Sequence, residues 1–184
     1  PSGGLPAWEP SVLARTQAVA VAVSESYMLV FGGGSIYGRS YRSDAVVFEP
    51  HLAGSGTEVT VPVSGQVPAP RSGAAGAYHS GSQTLYVFGG ETAENVYTAE
   101  VYALSLNGTV PAVSGTWRKI SAPGEPGLLA GTGAAAAYHS DGLIYVFGGY
   151  AADTGFSHRL AIFDPIVDAW VSYVSGPDDP WPRA

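Results

Sequence analysis

Along the chain, hydrophobic and polar positions group into short apolar runs set off by glycine, proline and serine. One of these runs occurs three times. Met28-Leu29-Val30-Phe31-Gly32-Gly33, Leu85-Tyr86-Val87-Phe88-Gly89-Gly90 and Ile144-Tyr145-Val146-Phe147-Gly148-Gly149 share one pattern, an apolar strand closed by a glycine pair. Their phenylalanines lie 57 and 59 residues apart. Each run sits inside a larger repeated unit that reads as four strands. The first strand follows a turn: Ala18–Val23 after Arg15-Thr16-Gln17, Ala74–Tyr78 after Arg71-Ser72-Gly73, and Ala134–Tyr138 after Gly131-Thr132-Gly133. The glycine-closed run is the second. Alternation and β-branched residues predict a third at Asp44–Phe48, Ala99–Tyr102 and Leu160–Phe163. A fourth is predicted at Thr57–Pro62, Trp117–Ile120 and Trp170–Tyr173. Ala134 to Ala137 would favour helix by propensity alone, but the run is too short to nucleate one and glycines flank it, so it is expected to be a strand.

Repetition at this period is the mark of a propeller or a solenoid. Alanine and glycine in each first strand suit a crowded innermost position, where strands converge on an axis. Tryptophan in the fourth strand suits the wide outer gap between neighbouring units. With these residues, and with Pro70-Arg71 and Pro182-Arg183 leading into first strands, the chain resembles the kelch family of β-propellers. The resemblance implies an all-β fold, a portion of a kelch-type propeller with about three four-stranded blades and partial blades at both ends. Residues 15–70, 71–130 and 131–182 form the blades, 1–14 the outer strand of a preceding blade, and 183–184 the start of a following one. There are departures: no tryptophan in the first repeat's fourth strand, Gly131 where the other turns carry arginine, and an insertion from Ser105 to Thr116. Propellers close with roughly 4–8 blades. Three blades cannot close a ring, so further blades from this or another chain are expected to complete it.

Composition narrows the chemistry. The net charge is −7 with one lysine, Lys119, and seven scattered arginines, which argues against a nucleic-acid partner. No run approaches the length of a membrane-spanning helix. Cysteine is absent, which removes disulfides, thiolate metal sites and cysteine nucleophiles but assigns no compartment. No phosphate loop, zinc-protease motif or nucleophile elbow is present. Gly131-Thr132-Gly133 lacks the third glycine and the βαβ setting of a dinucleotide site.

His79 and His139 recur in the phrase Tyr-His-Ser, and both are expected to end a first strand and serve its turn. Equivalent residues on adjacent blades sit too far apart to share a metal ion. Asp178-Asp179 and the pair Glu91 and Glu94 are expected to be solvated turn residues. Asn107-Gly108-Thr109 fits the N-glycosylation pattern in a predicted loop, which matters only on a secretory route.

No catalytic residue, cofactor or metal site is expected. In kelch-like propellers the loop after each glycine pair and the turn bearing Pro-Arg share one face, and loops on a rigid scaffold carry binding. The resemblance therefore puts partner contacts at Glu91 and Tyr150, and at Arg15, Arg71 and Arg183 in the turns. The loop from Ser35 to Arg42 adds Tyr37, Arg39, Tyr41 and Arg42, residue types common in interface hot spots. Alternatively, these arginines pair with acidic residues on neighbouring blades. The expected function is a non-catalytic protein–protein interaction scaffold. A carbohydrate-related enzyme or an extracellular adhesion module on the same fold is the alternative; an oxidase of the galactose oxidase type needs a cysteine–tyrosine cross-link that this stretch cannot supply.

Overall fold

The computed structural model describes residues 15–35, 40–50, 56–122, 131–151 and 155–174, and these are all strand, turn and loop. Three antiparallel sheets follow one another along the chain. The first is Val19–Ala22, Met28–Phe31, Ala45–Pro50 and Gly56–Thr60, hydrogen-bonded in that order. The second is built from Ala75–His79, Thr84–Phe88, Val101–Thr109 and Ala112–Ile120. The third is Ala135–Tyr138, Ile144–Phe147, Leu160–Asp164 and Ala169–Val174. Register repeats with the sequence. Val19, Ala75 and Ala135 stand opposite Phe31, Phe88 and Phe147 in their respective blades.

The alanine-rich segment is thus a strand, as expected, and the reason lies in where it sits. Inner strands of consecutive blades pack side by side, and a Cβ on Gly76 would run into the Val19 side chain of the preceding blade. The lead-in turns are hydrogen-bonded in series across the blades. Gly73 N–H donates to the Gln17 carbonyl and Gly133 N–H to the Gly73 carbonyl, each at 2.8 Å.

Two features depart from the four-strand reading. The second blade gains a fifth strand, Val63–Gly65, which joins the outer edge parallel to Gly115–Trp117. The insertion from Ser105 to Thr116 is not a loop. It extends the third and fourth strands into a hairpin of nine residues a side, with Asn107 opposite Ser114. Its period-two pattern explains this: Leu106 and Val113 turn inward while Asn107 and Thr109 stay exposed. The Asn107 triplet therefore lies in a strand and not in the predicted loop.

Apolar side chains fill the seams between blades. The first seam joins Leu29, Phe31 and Val47 to Leu85, Leu104 and Trp117. The second joins Phe88, Val101 and Ile120 to Ile144, Phe163 and Trp170. Trp117 is 1% exposed with its ring 4.7 Å from that of Phe31, and Trp170 stands 5.6 Å from Phe88. Each tryptophan thus covers the phenylalanine of the blade before it.

Glycine is needed where the second residue of each pair meets the next blade. Gly33 and Gly90 have φ of +85° and +105°, and their N–H groups donate at 2.8 Å to the carbonyls of Arg71 and Gly131. A Cβ on Gly90 would sit 3.0 Å from the Ser72 carbonyl oxygen. Side chains there would strain the backbone and push the blades apart.

Candidate functional site

Each lead-in turn is stitched to the loop after its own glycine pair by an antiparallel bridge: Thr16 with Gly34, Ser72 with Glu91, and Thr132 with Tyr150. In the second blade the bridge is reciprocal, Ser72 N–H to the Glu91 carbonyl at 2.9 Å and the return bond at 2.8 Å. Each lead-in turn and the loop after its own glycine pair therefore lie side by side. Short two-stranded ladders stiffen the loops, Gly34–Ser35 with Ser40–Tyr41 and Glu91–Ala93 with Val96–Tyr97.

Arg15 and Arg71 are not surface groups. The Arg71 side chain is fully buried; it donates to the Gly89 carbonyl at 3.0 Å, the Ala69 carbonyl at 3.1 Å and Glu100 at 3.1 Å. Its guanidinium also lies 5.0 Å from the centre of the Tyr102 ring. Arg15 grips both carboxylate oxygens of Asp44, at 3.1 and 2.8 Å, and the Gly32 carbonyl at 2.9 Å. This corrects their assignment as partner contacts. It also places their acidic mates within the same blade and not on a neighbour. A buried guanidinium needs a charge partner and several acceptors, and the carbonyl of the first glycine supplies one of them. Burial pushes the Glu100 carboxyl up, but hydrogen bonds and charge from Lys119 and Arg71 outweigh it and hold the group below its ordinary value.

Tyr41 and Glu91, from adjacent blades, come together. Both line a cleft of about 280 Å³ that also takes in Gln17, Ser72, Glu94 and Asn95. Glu91 is fixed by accepting the Asn95 N–H at 2.8 Å. Burial first, then the Glu91 charge, raises the hydroxyl pKa of Tyr97 on the same ladder. Tyr150 lines a second cleft of about 490 Å³ with Phe147, Phe156 and His158, and its ring meets edge-on, at 6.0 Å, that of Tyr97 on the Glu91 ladder. Arg42 bonds through its backbone, N–H to Gly33 and carbonyl from Arg71, while its side chain lies 3.9 Å from Asp44. Tyr37, Arg39 and Arg183 lie outside the described residues, as do Asp178 and Asp179. Sequence reading missed Ser72 and Gln17. The signal for Ser72 was present, since a hydroxyl residue occupies the same turn position in all three repeats: Thr16, Ser72 and Thr132.

His79 and His139 each bond within their own turn, and the His79 ring also stacks on Tyr138 of the next blade at 4.6 Å. His79 Nδ1 is 2.9 Å from Ser82 Oγ, and His139 Nδ1 is 3.1 Å from Asp141. Among the described residues no three histidines or carboxylates gather to hold a metal. The profile of the KLHDC2/KLHL20/DRC7 Kelch-repeats domain matches residues 14–184. The chain belongs to the kelch-repeat family. No curated protein matches it in sequence. Among solved structures it is similar to a copper-bound fungal alcohol oxidase of the AA5 family, with 14% identity and a TM-score of 0.56. The alignment covers 90% of this chain and 44% of the oxidase. At that identity the likeness is one of fold.

Kelch repeats typically serve protein–protein interaction, and here the third repeat departs from its siblings. Its turn carries Gly131 in place of arginine, and Arg159 stands where Asp44 and Glu100 stand in the other blades. The backbone fixes this equivalence, because Gly32, Gly89 and Gly148 donate to the carbonyls of Asp44, Glu100 and Arg159. Both halves of the buried ion pair have been replaced together.

Proposed function

We propose that this kelch segment is a non-catalytic scaffold that captures a protein partner on the face bearing the lead-in turns and post-glycine loops. Tyr41, Arg42, Glu91 and Tyr150 are its contacts, with Tyr37 and Arg39 of the first loop and Arg183 of the last turn. Further blades, from this or another chain, complete the ring. The observation that carries the reading is the hydrogen bonding beneath that face. Among the described residues each of the three loops is bridged to its turn, and the three turns are bonded in series, so the loops are held rigid at little entropic cost to binding. Burial of Arg15 and Arg71 supports the same view, because it leaves recognition to the loops.

The test is affinity capture from cells with the intact protein and a double charge change, Arg39→Glu with Arg42→Glu. Partner recovery is expected to be lost while the melting temperature stays within a few degrees. Undiminished recovery would remove the face from the reading.

A further inference from the structure

The trailing face of the third blade repeats, position by position, a face that the second blade buries. Ala135 stands opposite Phe147 and Phe147 opposite Leu160, as Ala75 does with Phe88 and Phe88 with Val101. Ala75, Ala77, Phe88 and Val101 are buried in the second seam. Ala135, Ala137 and Phe147 are exposed. The backbone is unfinished in the same place. Gly33 and Gly90 N–H donate across a seam to the next lead-in turn, while Gly149 N–H has no partner among the described residues. The Gln17 and Gly73 carbonyls accept from the next turn, whereas the Gly133 carbonyl accepts nothing among these residues. Apolar contact and two backbone bonds are thus left open together, where both seams complete them.

We propose that this face is covered by a fourth kelch blade of the same polypeptide. Its outer strand brings a tryptophan onto Phe147, and its lead-in turn accepts from Gly149 N–H and donates to the Gly133 carbonyl. The occupant follows from the two seams already formed, where Trp117 covers Phe31 and Trp170 covers Phe88. It belongs to the same polypeptide because blades consecutive in sequence are neighbours at both seams. A second copy of this stretch does not fit. The outer strand of its first blade, Gly56–Thr60, holds no tryptophan. Val30 and Val46, which alternation turns to that blade's leading side, are already 7% and 0% exposed and belong to neither seam. The inference rests on the reading that further blades complete the ring, and it adds which chain supplies the next one and what that blade carries.

Photo-cross-linking in the intact protein tests it, with p-benzoylphenylalanine in place of Phe147 and the joined peptides mapped by mass spectrometry. The expected product joins this position to a tryptophan-bearing peptide of the same polypeptide beyond residue 184. Residues 1–184 hold no cysteine, so single thiols read the same face independently. Ala137→Cys is expected to react with a maleimide as slowly as the buried Ala77→Cys. That is at least about a hundredfold more slowly than Ala112→Cys at the exposed hairpin end, because a thiol in a packed seam reacts only through local opening. A cross-link to a second copy, to a different polypeptide or to a peptide without tryptophan would overturn the proposal. So would the absence of any cross-link, or an Ala137→Cys that reacts as fast as Ala112→Cys. A cross-link to a different polypeptide leaves ring completion standing and removes only this inference; a reactive Ala137→Cys removes both. Neither result touches recognition by the loops, which the Arg39/Arg42 double change reads by itself.

Discussion

Arg71 reaches Glu100 across 29 residues of sequence and 3.1 Å of space, and Arg15 reaches Asp44 across the same separation at 2.8 Å. Both pairs tie the turn that starts a blade to the start of its third strand. Each arginine also takes the carbonyl of the first glycine, so one side chain locks three segments of a blade together.

Arg71→Ala should therefore be severe. It leaves the Gly89 and Ala69 carbonyls short of a donor, at roughly 1–3 kcal/mol for each buried acceptor, while Glu100, 33% exposed, keeps Lys119. Arg71→Lys should recover only part of this, because an ammonium cannot serve the Glu100, Gly89 and Ala69 oxygens together. Urea unfolding of the intact protein measures both, and a loss under about 1 kcal/mol for the alanine variant would contradict the account.

Acid should expose the same pair. The folded Glu100 carboxyl lies below its ordinary value, so its contribution is present above the unfolded pKa, about 4.3, and fades as pH falls through the lower folded value. Glu100→Gln should be less stable than the parent at neutral pH, and its stability should fall less steeply below about pH 4.3. Parallel slopes for the two proteins would assign the acid sensitivity elsewhere.

Gly90 and Gly142 form a matched comparison. Both have positive φ, +105° and +92°, but a Cβ at Gly142 meets open space while one at Gly90 meets the Ser72 carbonyl and Ala74. Gly142→Ala should cost roughly 1–3 kcal/mol of backbone strain. Gly90→Ala should cost clearly more, and it should weaken the contact with the third blade through the bond to Gly131. Equal losses would mean the blades have room to move apart.

Trp117 fills the first seam, yet its buried indole N–H has no acceptor among the described residues. Trp117→Ala should cost roughly 3–5 kcal/mol through the cavity it opens beside Phe31. Trp117→Phe should cost much less, because it removes an unsatisfied donor along with some volume. Thermal unfolding of the two variants gives the ratio, and comparable losses would show that the N–H has a partner.

Phe147 occupies the position of Phe31 and Phe88, which are 0% and 2% exposed, but is itself 49% exposed. Nearby Val171 is 57% exposed. Residues 1–184 expressed by themselves should aggregate or melt at low temperature, and Phe147→Ser should reduce the aggregation. Light scattering decides this, a sharp-melting monomer of the unaltered stretch being the contrary result.

Much of the fold was legible because the repeat is local. A run such as Leu85–Gly90 declares its strand by apolar pattern and its end by glycine, and three copies remove the ambiguity of one. That the tryptophans would fill the outer gap between blades followed from size alone. What escaped reading depended on partners distant in sequence. Val63–Gly65 becomes a fifth strand only because the edge of Gly115–Trp117 is unpaired beside it. The Asn107 hairpin required seeing that Leu106 and Val113 would find a seam to fill. At the candidate site, Tyr41 and Glu91 were named from sequence, but not that they line one cleft, nor that Ser72 lines it with them.

The chain by itself determined the blade: its strand order, its glycine corners, its small inner and large outer residues, all written within some 60 residues of one another. The tertiary structure decided which arginines the fold takes out of water. Pattern cannot separate a buried guanidinium from an exposed one, since the carboxylate and carbonyl that enclose it come from elsewhere in the chain. Only the arrival of Glu100 and Gly89 around Arg71, beside its own neighbour Ala69, removes it from the surface.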